Sequence, residues 1–250
     1  MAGFEMNRVE YYCVSHIGCT RSENQDNFIC EKAYNTDAKN TPITRCNSAF
    51  SVSEPVMLGV FDGMGGGEYG EVASLLSSQA ASEMTFGPDI PQSIEDMFNT
   101  ANRRICEFRD EHATGSVGAT AAVLVFTPDM ILSGNIGDSR IFRMTGSDFL
   151  QVSKNHVLQV GNMSKATLSQ HLGIPEDERI LRPYFLQSEW VPGDKYIICS
   201  DGLTDMVSYE EIGETCKSGS PKDIAESLLA KALENGGVDN ITLIVAGITG

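Results

Sequence analysis

The chain has 250 residues, 41% hydrophobic and 21% charged, an ordinary composition for a globular protein with material for a sizeable core. Its 18 lysines and arginines against 34 aspartates and glutamates give a formal charge of −16, which argues against a nucleic-acid groove or an anionic membrane surface as partner. Seven cysteines without a C-x-x-C pair read as buried, reduced thiols, and no apolar run reaches bilayer-spanning length or forms a signal peptide, so a cytoplasmic location is expected.

In chain order, residues 9–17 and 26–31 read as strands around a loop carrying Arg21 and Gln25. The polar stretch 35–54 reads as a long hairpin loop. Val56 to Phe61 is a short apolar strand ending at Asp62, broken by the glycines at 63–67. Two helices follow. The first spans about 69–84, with Val72, Leu75, Leu76, Ala80 and Met84 as its apolar face. The second spans about 92–112, with Ile94, Met97, Phe98, Ala101, Ile105 and Phe108. Pro88 and Pro91 separate them, which suggests an antiparallel pair lying on a sheet.

From residue 118 the texture is that of strands: Ala121–Phe126, Met130–Ile136, Arg140–Met144 and Phe149–Val152. Residues 154–178 look irregular, with a short helix near 164–171, and strands near 180–189 and 195–200 follow. Ser208 with Glu211 forms a capping-box pattern. Ser220-Pro221 with Asp223 opens a helix that runs to Gly236-Gly237. Ile241 to Ala246 is a final strand. This order favours an α+β fold, and the absence of repeats or linkers favours one domain over residues 1–250.

Aspartates recur at or just beyond the ends of these strand-like runs, in Arg21-Ser22-Glu23-Asn24-Gln25-Asp26, Asp62-Gly63-Met64-Gly65-Gly66, Gly137-Asp138-Ser139-Arg140, Ser200-Asp201-Gly202 and Asp239-Asn240-Ile241-Thr242. Carboxylates at strand ends can converge on one edge of a sheet, where they repel one another unless a cation sits between them. Oxygen-only ligation suits Mg²⁺ or Mn²⁺, and such centres often handle phosphate. Each Asp-Gly pair alone is equally a plain turn.

Together, in this order and spacing, the motifs resemble the metal-dependent protein serine/threonine phosphatases of the PP2C type, in their compact bacterial form. The resemblance runs from Arg21 to Gly247. It implies a four-layer α-β-β-α sandwich, with two antiparallel sheets flanked by antiparallel helices and a metal cluster at one edge. Asp62 corresponds to the aspartate that bridges two ions, with the Gly63 carbonyl taking a further position, where a residue without a side chain lets the backbone come close. Asp201 and Asp239 correspond to ligands of the first ion. Asp138, with Asp201, corresponds to the site of a third, weaker ion, although Asp138 also reads as a hairpin aspartate paired with Arg140. Arg21 matches the phosphate-binding arginine, whose planar fork can hold two oxygens. Asp26 would orient water from behind the ligands.

Some positions depart from the family pattern. Gln25 stands where many relatives carry glutamate, and Met64 where eukaryotic relatives carry histidine. Val152-Ser153-Lys154-Asn155-His156-Val157 replaces a leucine-threonine-any-aspartate-histidine-serine stretch, so His156 reads as structural or exposed rather than catalytic. His16, His112 and His171 have no metal-ligand spacing and also read as structural. The segment from Asn155 to Gly173 is shorter than the usual flap. The implied reaction is hydrolysis of phosphoserine or phosphothreonine by a water made acidic between two ions, attacking phosphorus in line. Phosphoproteins, among them a bacterial Ser/Thr kinase or its substrates, are the expected partners, with a monomer as the default. The competing readings are action on phosphotyrosine, phosphoarginine or a small phosphoester, and a pseudophosphatase that binds phosphoproteins without turnover.

Overall fold

The computed structural model describes residues 7–64, 69–158 and 167–249. In chain order the elements are β1 Arg8–His16, β2 Asp26–Cys30, β3 Ile43–Ser51, β4 Val56–Met64, α1 Gly70–Glu83, α2 Ile90–His112, β5 Gly118–Ala119, β6 Ala121–Phe126, β7 Ile131–Ile136, β8 Arg140–Thr145, β9 Asp148–Gln151, β10 Val157–Leu158, β11 Thr167–Leu168, β12 Tyr184–Ser188, β13 Lys195–Cys199, α3 Asp201–Thr204, α4 Tyr209–Cys216, α5 Pro221–Glu234 and β14 Ile241–Thr249.

Two antiparallel sheets form the centre. One has the order β3-β1-β14-β13-β8-β9 and the other β12-β7-β6-β4-β2, with the short β5 paired to β4. Strand alternation supplies three cores. On β14, Ile244, Ala246 and Ile248 face the space between the sheets, while Ile241, Leu243 and Val245 face α3, α4 and α5. On β6, Ala122, Leu124 and Phe126 enter the same central space, while Ala121, Val123 and Val125 face α1 and α2. Both sheets are thus covered on both sides, which is why their central strands read as unbroken apolar runs. The four-layer α-β-β-α arrangement agrees with the expectation from sequence.

The helix ends follow local chemistry. Ser208 with Glu211 and Ser220 with Asp223 each form a reciprocal capping box. The second helix starts earlier than expected, at Ile90, because the Asp89 side chain accepts from the Gln92 N–H and Pro91 occupies the first turn, where no N–H is needed.

Several expectations need correction. The stretch 35–54 is not a hairpin loop throughout. Residues 43–51 form edge strand β3, half-exposed along its length, so a polar composition is compatible with pairing along one side only. Of the expected apolar face of α1, Ala80 is buried and Leu76 and Met84 pack against the core, but Val72 and Leu75 do not; the fully buried positions are mostly small, Gly70, Ala73, Ser74, Ser77, Ser78 and Ala81, with Glu71. Small residues let the helix lie close over β2 and β4, and Ser77 and Ser78 return their hydroxyls to the Ala73 and Ser74 carbonyls. Within the stretch expected as a helix near 164–171, Thr167–Leu168 instead pairs with Val157–Leu158 as a two-stranded ribbon. Residues 164–166 of that expectation lie outside the described residues, as do Gly65, Gly66 and Gly67 of the glycine cluster.

Phe126 is fully buried and meets Phe50, Trp190 and Tyr196 edge-on or tilted at centroid distances of 5.9, 5.8 and 6.4 Å. Phe126→Ala is expected to destabilise the protein by about 3–5 kcal/mol in urea denaturation. A loss below about 1 kcal/mol would contradict the central packing.

Candidate active site

Antiparallel pairing brings a particular set of strand ends to one edge. β4, β7 and β13 run toward that edge and end near it, while β2, β8 and β14 start from it. Asp26 opens β2, Asp138 lies in the β7–β8 turn, Asp201 follows β13 as the first residue of α3, and Asp239 precedes β14 by two residues. Asp62 does not end its strand. β4 continues through Gly63 and Met64, which pair with Ala119 and Gly118. Asp26 and Asp62 are directly opposed cross-strand partners.

These carboxylates sense one another. Burial, then the charges of Asp26, Asp201, Asp138 and Asp239, push the Asp62 pKa well above the ordinary aspartate value. Burial, followed by Asp138, Asp205, Asp239 and Asp26, lifts Asp201 to about 7. Asp26 is raised to about 6, mainly by burial and partly offset by its Ser200 and Thr242 hydrogen bonds. Arg21 donates into the group through a 2.7 Å bond to Asp239 Oδ2, and is raised chiefly by that bond. Its side chain is 47% exposed, so one face of the guanidinium remains open to solvent.

A polar frame holds these side chains in place. Ser200 Oγ donates to Asp26 Oδ2 at 2.8 Å and accepts from the Thr242 N–H, while Thr242 Oγ1 pairs with Ser15 Oγ. Asn240 is a second anchor, 5% exposed. Its Nδ2 donates to the Ile17 and Glu23 carbonyls, and its Oδ1 accepts from the Gln25 N–H, so it fixes both ends of the Arg21 loop. Asn24 adds a bond from Nδ2 to Ser15 Oγ and one from the Asp26 N–H to Oδ1. Thr120 accepts the Asp62 N–H at Oγ1 and pairs with Ser139 at 2.6 Å. The sequence motifs contain most of these residues, yet their role is missed because Ser, Thr and Asn carry no formal charge and are common in turns. The adjacency of Asn240 to Asp239 and of Ser200 to Asp201 is the signal that could have found them.

Backbone crowding explains two glycines. A Cβ on Gly63 would lie 2.0 Å from the Gly70 carbonyl oxygen and 2.5 Å from that of Gln25. A Cβ on Gly202 would lie 1.9 Å from the Asn240 carbonyl oxygen. The Gln25 side-chain oxygen and the Gly63 carbonyl converge on the Cα side of Gly70, at 2.8 and 2.9 Å from where its Cβ would stand. Gln25 therefore does place an amide oxygen beside the Gly63 carbonyl.

The four histidines make local contacts. His156 Nδ1 accepts the Gly137 N–H and the His156 N–H returns to the Gly137 carbonyl, which fixes the turn before Asp138. His16 Nδ1 accepts from the Gly18 N–H at the start of the Arg21 loop. His171 bonds the Leu172 carbonyl, and His112 stacks on Phe108.

The donor set is all oxygen and acidic, with Asp26 buried and Asp62, Asp138, Asp201 and Asp239 half-buried, which fits hard divalent cations and not soft ones. The Protein phosphatase 2C family profile matches residues 45–234. The chain is 29% identical over 221 residues to the serine/threonine protein phosphatase PstP of Mycobacterium tuberculosis, covering 82% of this chain and 43% of that protein. The chain therefore spans less than half the length of that relative. It is 28% identical to the protein phosphatase PhpP of Streptococcus pneumoniae, covering 77% of this chain and 85% of that protein. Among solved structures, PppA of Pseudomonas aeruginosa superposes with a TM-score of 0.78 at 23% identity, covering 97% of this chain and all of that one. The catalytic domain of a PstP phosphatase in complex with two manganese ions superposes at 0.77 and 24% identity, with the same coverage. The profile match over most of the chain, on this four-layer frame and its acidic edge, places the chain in the protein phosphatase 2C family.

Proposed function

We propose that the chain, as a single phosphatase domain over residues 1–250, hydrolyses phosphoserine and phosphothreonine in proteins with the help of Mg²⁺ or Mn²⁺. The observation that carries this reading is the convergence of Asp62, Asp201 and Asp239, from segments far apart in sequence, beside an arginine whose guanidinium is half exposed. Asp62, the Gly63 carbonyl, Asp201 and Asp239 would hold two ions, and Asp138 with Asp201 a third. Bound there, such ions supply Lewis acidity toward phosphate oxygens and lower the pKa of water.

The chain's own residues do the rest. Arg21 is bound through one nitrogen to Asp239, and the open part of its fork is free to take phosphate oxygens and to offset the charge that grows on them in the transition state. Asp26, fixed by Ser200 and fully buried, acts as a positioning residue that keeps the inner carboxylates oriented and can hold a proton at its carboxylate. Asn240 sets the distance between Arg21 and the aspartates. The chain supplies no nucleophile of its own, and no Cys-x₅-Arg pattern is present. Phosphoproteins, including a bacterial Ser/Thr kinase or its substrates, are the partners this reading names. A cytoplasmic monomer without nucleic-acid or membrane contacts accords with the charge of −16 and with the lack, among the described residues, of any helix long and apolar enough to cross a membrane.

Mn²⁺-dependent hydrolysis of p-nitrophenyl phosphate and of a phosphothreonine peptide is expected, absent with chelator. Asp62→Asn and Asp239→Asn are expected to lower it by more than about 100-fold, and Asp26→Asn by about 10–100-fold. A folded wild-type protein that binds phosphopeptides without turnover would instead establish the pseudophosphatase reading. Preference for phosphotyrosine would move the substrate class.

Arg21→Ala is expected to cost about 10–100-fold in kcat/KM on the phosphopeptide, the worth of a charge-assisted hydrogen bond made to phosphate. An unchanged value would remove Arg21 from the site.

Stability should also depend on pH in a defined direction. Asp26 and Asp201 have folded-state values raised to about 6 and about 7 from 3.8, so the folded chain binds protons more tightly than the unfolded one. Their cost is fully present above the folded values and disappears toward the unfolded one. The melting temperature of chelator-treated protein is therefore expected to rise as pH falls from about 8 to about 5.5, with a smaller slope in Asp62→Asn and with saturating Mn²⁺. Equal slopes in all three samples would refute the coupling.

A further inference from the structure

A second cluster of ligating side chains lies away from the aspartates. Cys13, Cys30 and Cys46 come from three strands, and their sulfurs all lie within 4.8 Å of one another. Cys13 on β1 and Cys46 on β3 are directly opposed partners in one sheet, and Cys30 is the last residue of β2 in the other. β3 and β2 are edge strands of their sheets. The thiols therefore meet at the lateral rim of the sandwich, where the central core reaches solvent. Cys13 and Cys30 are buried and Cys46 is half-buried, which gives the cluster a protected interior and one open side.

An acidic residue follows Cys30 directly in the chain. Glu31, adjacent to Cys30, is held at φ 61 in a tight turn closed by the Cys30 N–H to Ala33 carbonyl bond of 2.8 Å and its reciprocal of 2.9 Å. A left-handed backbone is uncommon for a glutamate. Its carboxylate accepts from the Tyr11 hydroxyl at 3.1 Å. Three sulfurs within reach of one another supply three of the four donors of a tetrahedral site.

We propose that Cys13, Cys30 and Cys46 form a binding site for Zn²⁺ or a cation of the same thiophilic class, with the fourth position on the side of Glu31 and solvent. A tetrahedral ion with Zn–S bonds of about 2.3 Å needs sulfurs roughly 3.8 Å apart, a contraction of at most about 1 Å from the observed limit. Binding is an exchange: up to three S–H protons leave to solvent as sulfur–metal bonds form, with no change in oxidation state. A Cys13–Cys46 disulfide would require an oxidant and would leave Cys30 unexplained. The site is separate from the aspartates in chemistry and in place, since Cys30 is four residues, roughly 13 Å at about 3.3 Å per residue, along β2 from Asp26. It clamps β1, β2 and β3 together, and β1 and β2 are the strands between which the Arg21 loop is slung.

Co²⁺ serves as the probe, because thiolate ligands give it an intense charge-transfer absorption that oxygen ligands do not. The full chain, reduced with a phosphine, treated with chelator and kept in excess Mg²⁺, is expected to develop that band to saturation at about one equivalent and to lose it on adding Zn²⁺. Cys13→Ser and Cys46→Ser are each expected to weaken the binding by at least about tenfold, while Asp62→Asn and Cys19→Ser leave it intact. In wild-type protein, where folding is not in question, Zn²⁺ is expected to slow alkylation of Cys46 by at least about tenfold. Absence of the band, unaltered alkylation of Cys46, or a band unaffected by Cys46→Ser, as would arise from the neighbouring Cys199 and Cys216, would overturn the proposal.

Discussion

Repulsion among buried carboxylates is the constraint around which this molecule is arranged. Two unit charges 4 Å apart near a protein surface interact by about 4 kcal/mol, and here Asp26, Asp62, Asp138, Asp201 and Asp239 gather at one edge. No such grouping arises from a drive toward stability, because each member raises the cost of ionising the others. The folded chain tolerates it because the rest of the frame is rigid. Two sheets with both faces covered fix the strand ends, and the strand ends fix the aspartates. A group held together against its own repulsion is one whose electrostatic cost a bound cation would lower.

Rigidity alone does not place side chains to within a few tenths of an ångström. That task falls to uncharged polar residues directly behind the acids. Ser200 and Thr242 connect β13, β14 and Asp26 through buried hydroxyls, and Asn240 ties the Arg21 loop at Ile17, Glu23 and Gln25 with a single side chain. Backbone segments must come close for these bonds to form, which is why Gly63 and Gly202 sit where a methyl group would collide with a carbonyl oxygen. Asp26 is thus held by a neutral neighbour, Ser200, whereas Asp239 is engaged by Arg21.

Much of this was legible in the sequence where the signal is local or periodic. The starts of α4 and α5, the apolar face of α2 and the buried runs of β6, β7, β13 and β14 follow from patterns within ten or twenty residues. The aspartates stood out because their spacing relative to strand ends is unusual. What was not legible depends on partners distant in the chain. β3 looks like a loop because an edge strand with a half-exposed face has no need of apolar residues. The apolar pattern of α1 identifies Leu76, Ala80 and Met84 but not its closest-packed positions, because hydrophobicity predicts contact, whereas closeness to β2 and β4 selects serine, alanine and glycine. Asn240 and Ser200 acquire their meaning only from residues about forty to more than two hundred positions away, and the meeting of Cys13, Cys30 and Cys46 depends on the pairing of β1 with β3 and on how the two sheets overlap.

The overall charge bears on how a phosphate could ever reach such an edge. A chain of charge −16, with its densest buried acidity at the proposed site, repels a phosphoprotein at long range and repels the phosphate group most strongly at the end. Arg21 cannot reverse this alone, since Asp239 already engages one of its nitrogens. Under the reading proposed above, divalent cations must therefore occupy the edge before phosphate does, and the local field changes sign only then. The acidity of the remaining surface has a second effect. Under the same reading it would penalise anionic ligands that lack a group able to profit from the cations, so the charge that opposes phosphate at a distance would favour ligands that present phosphate at this one place.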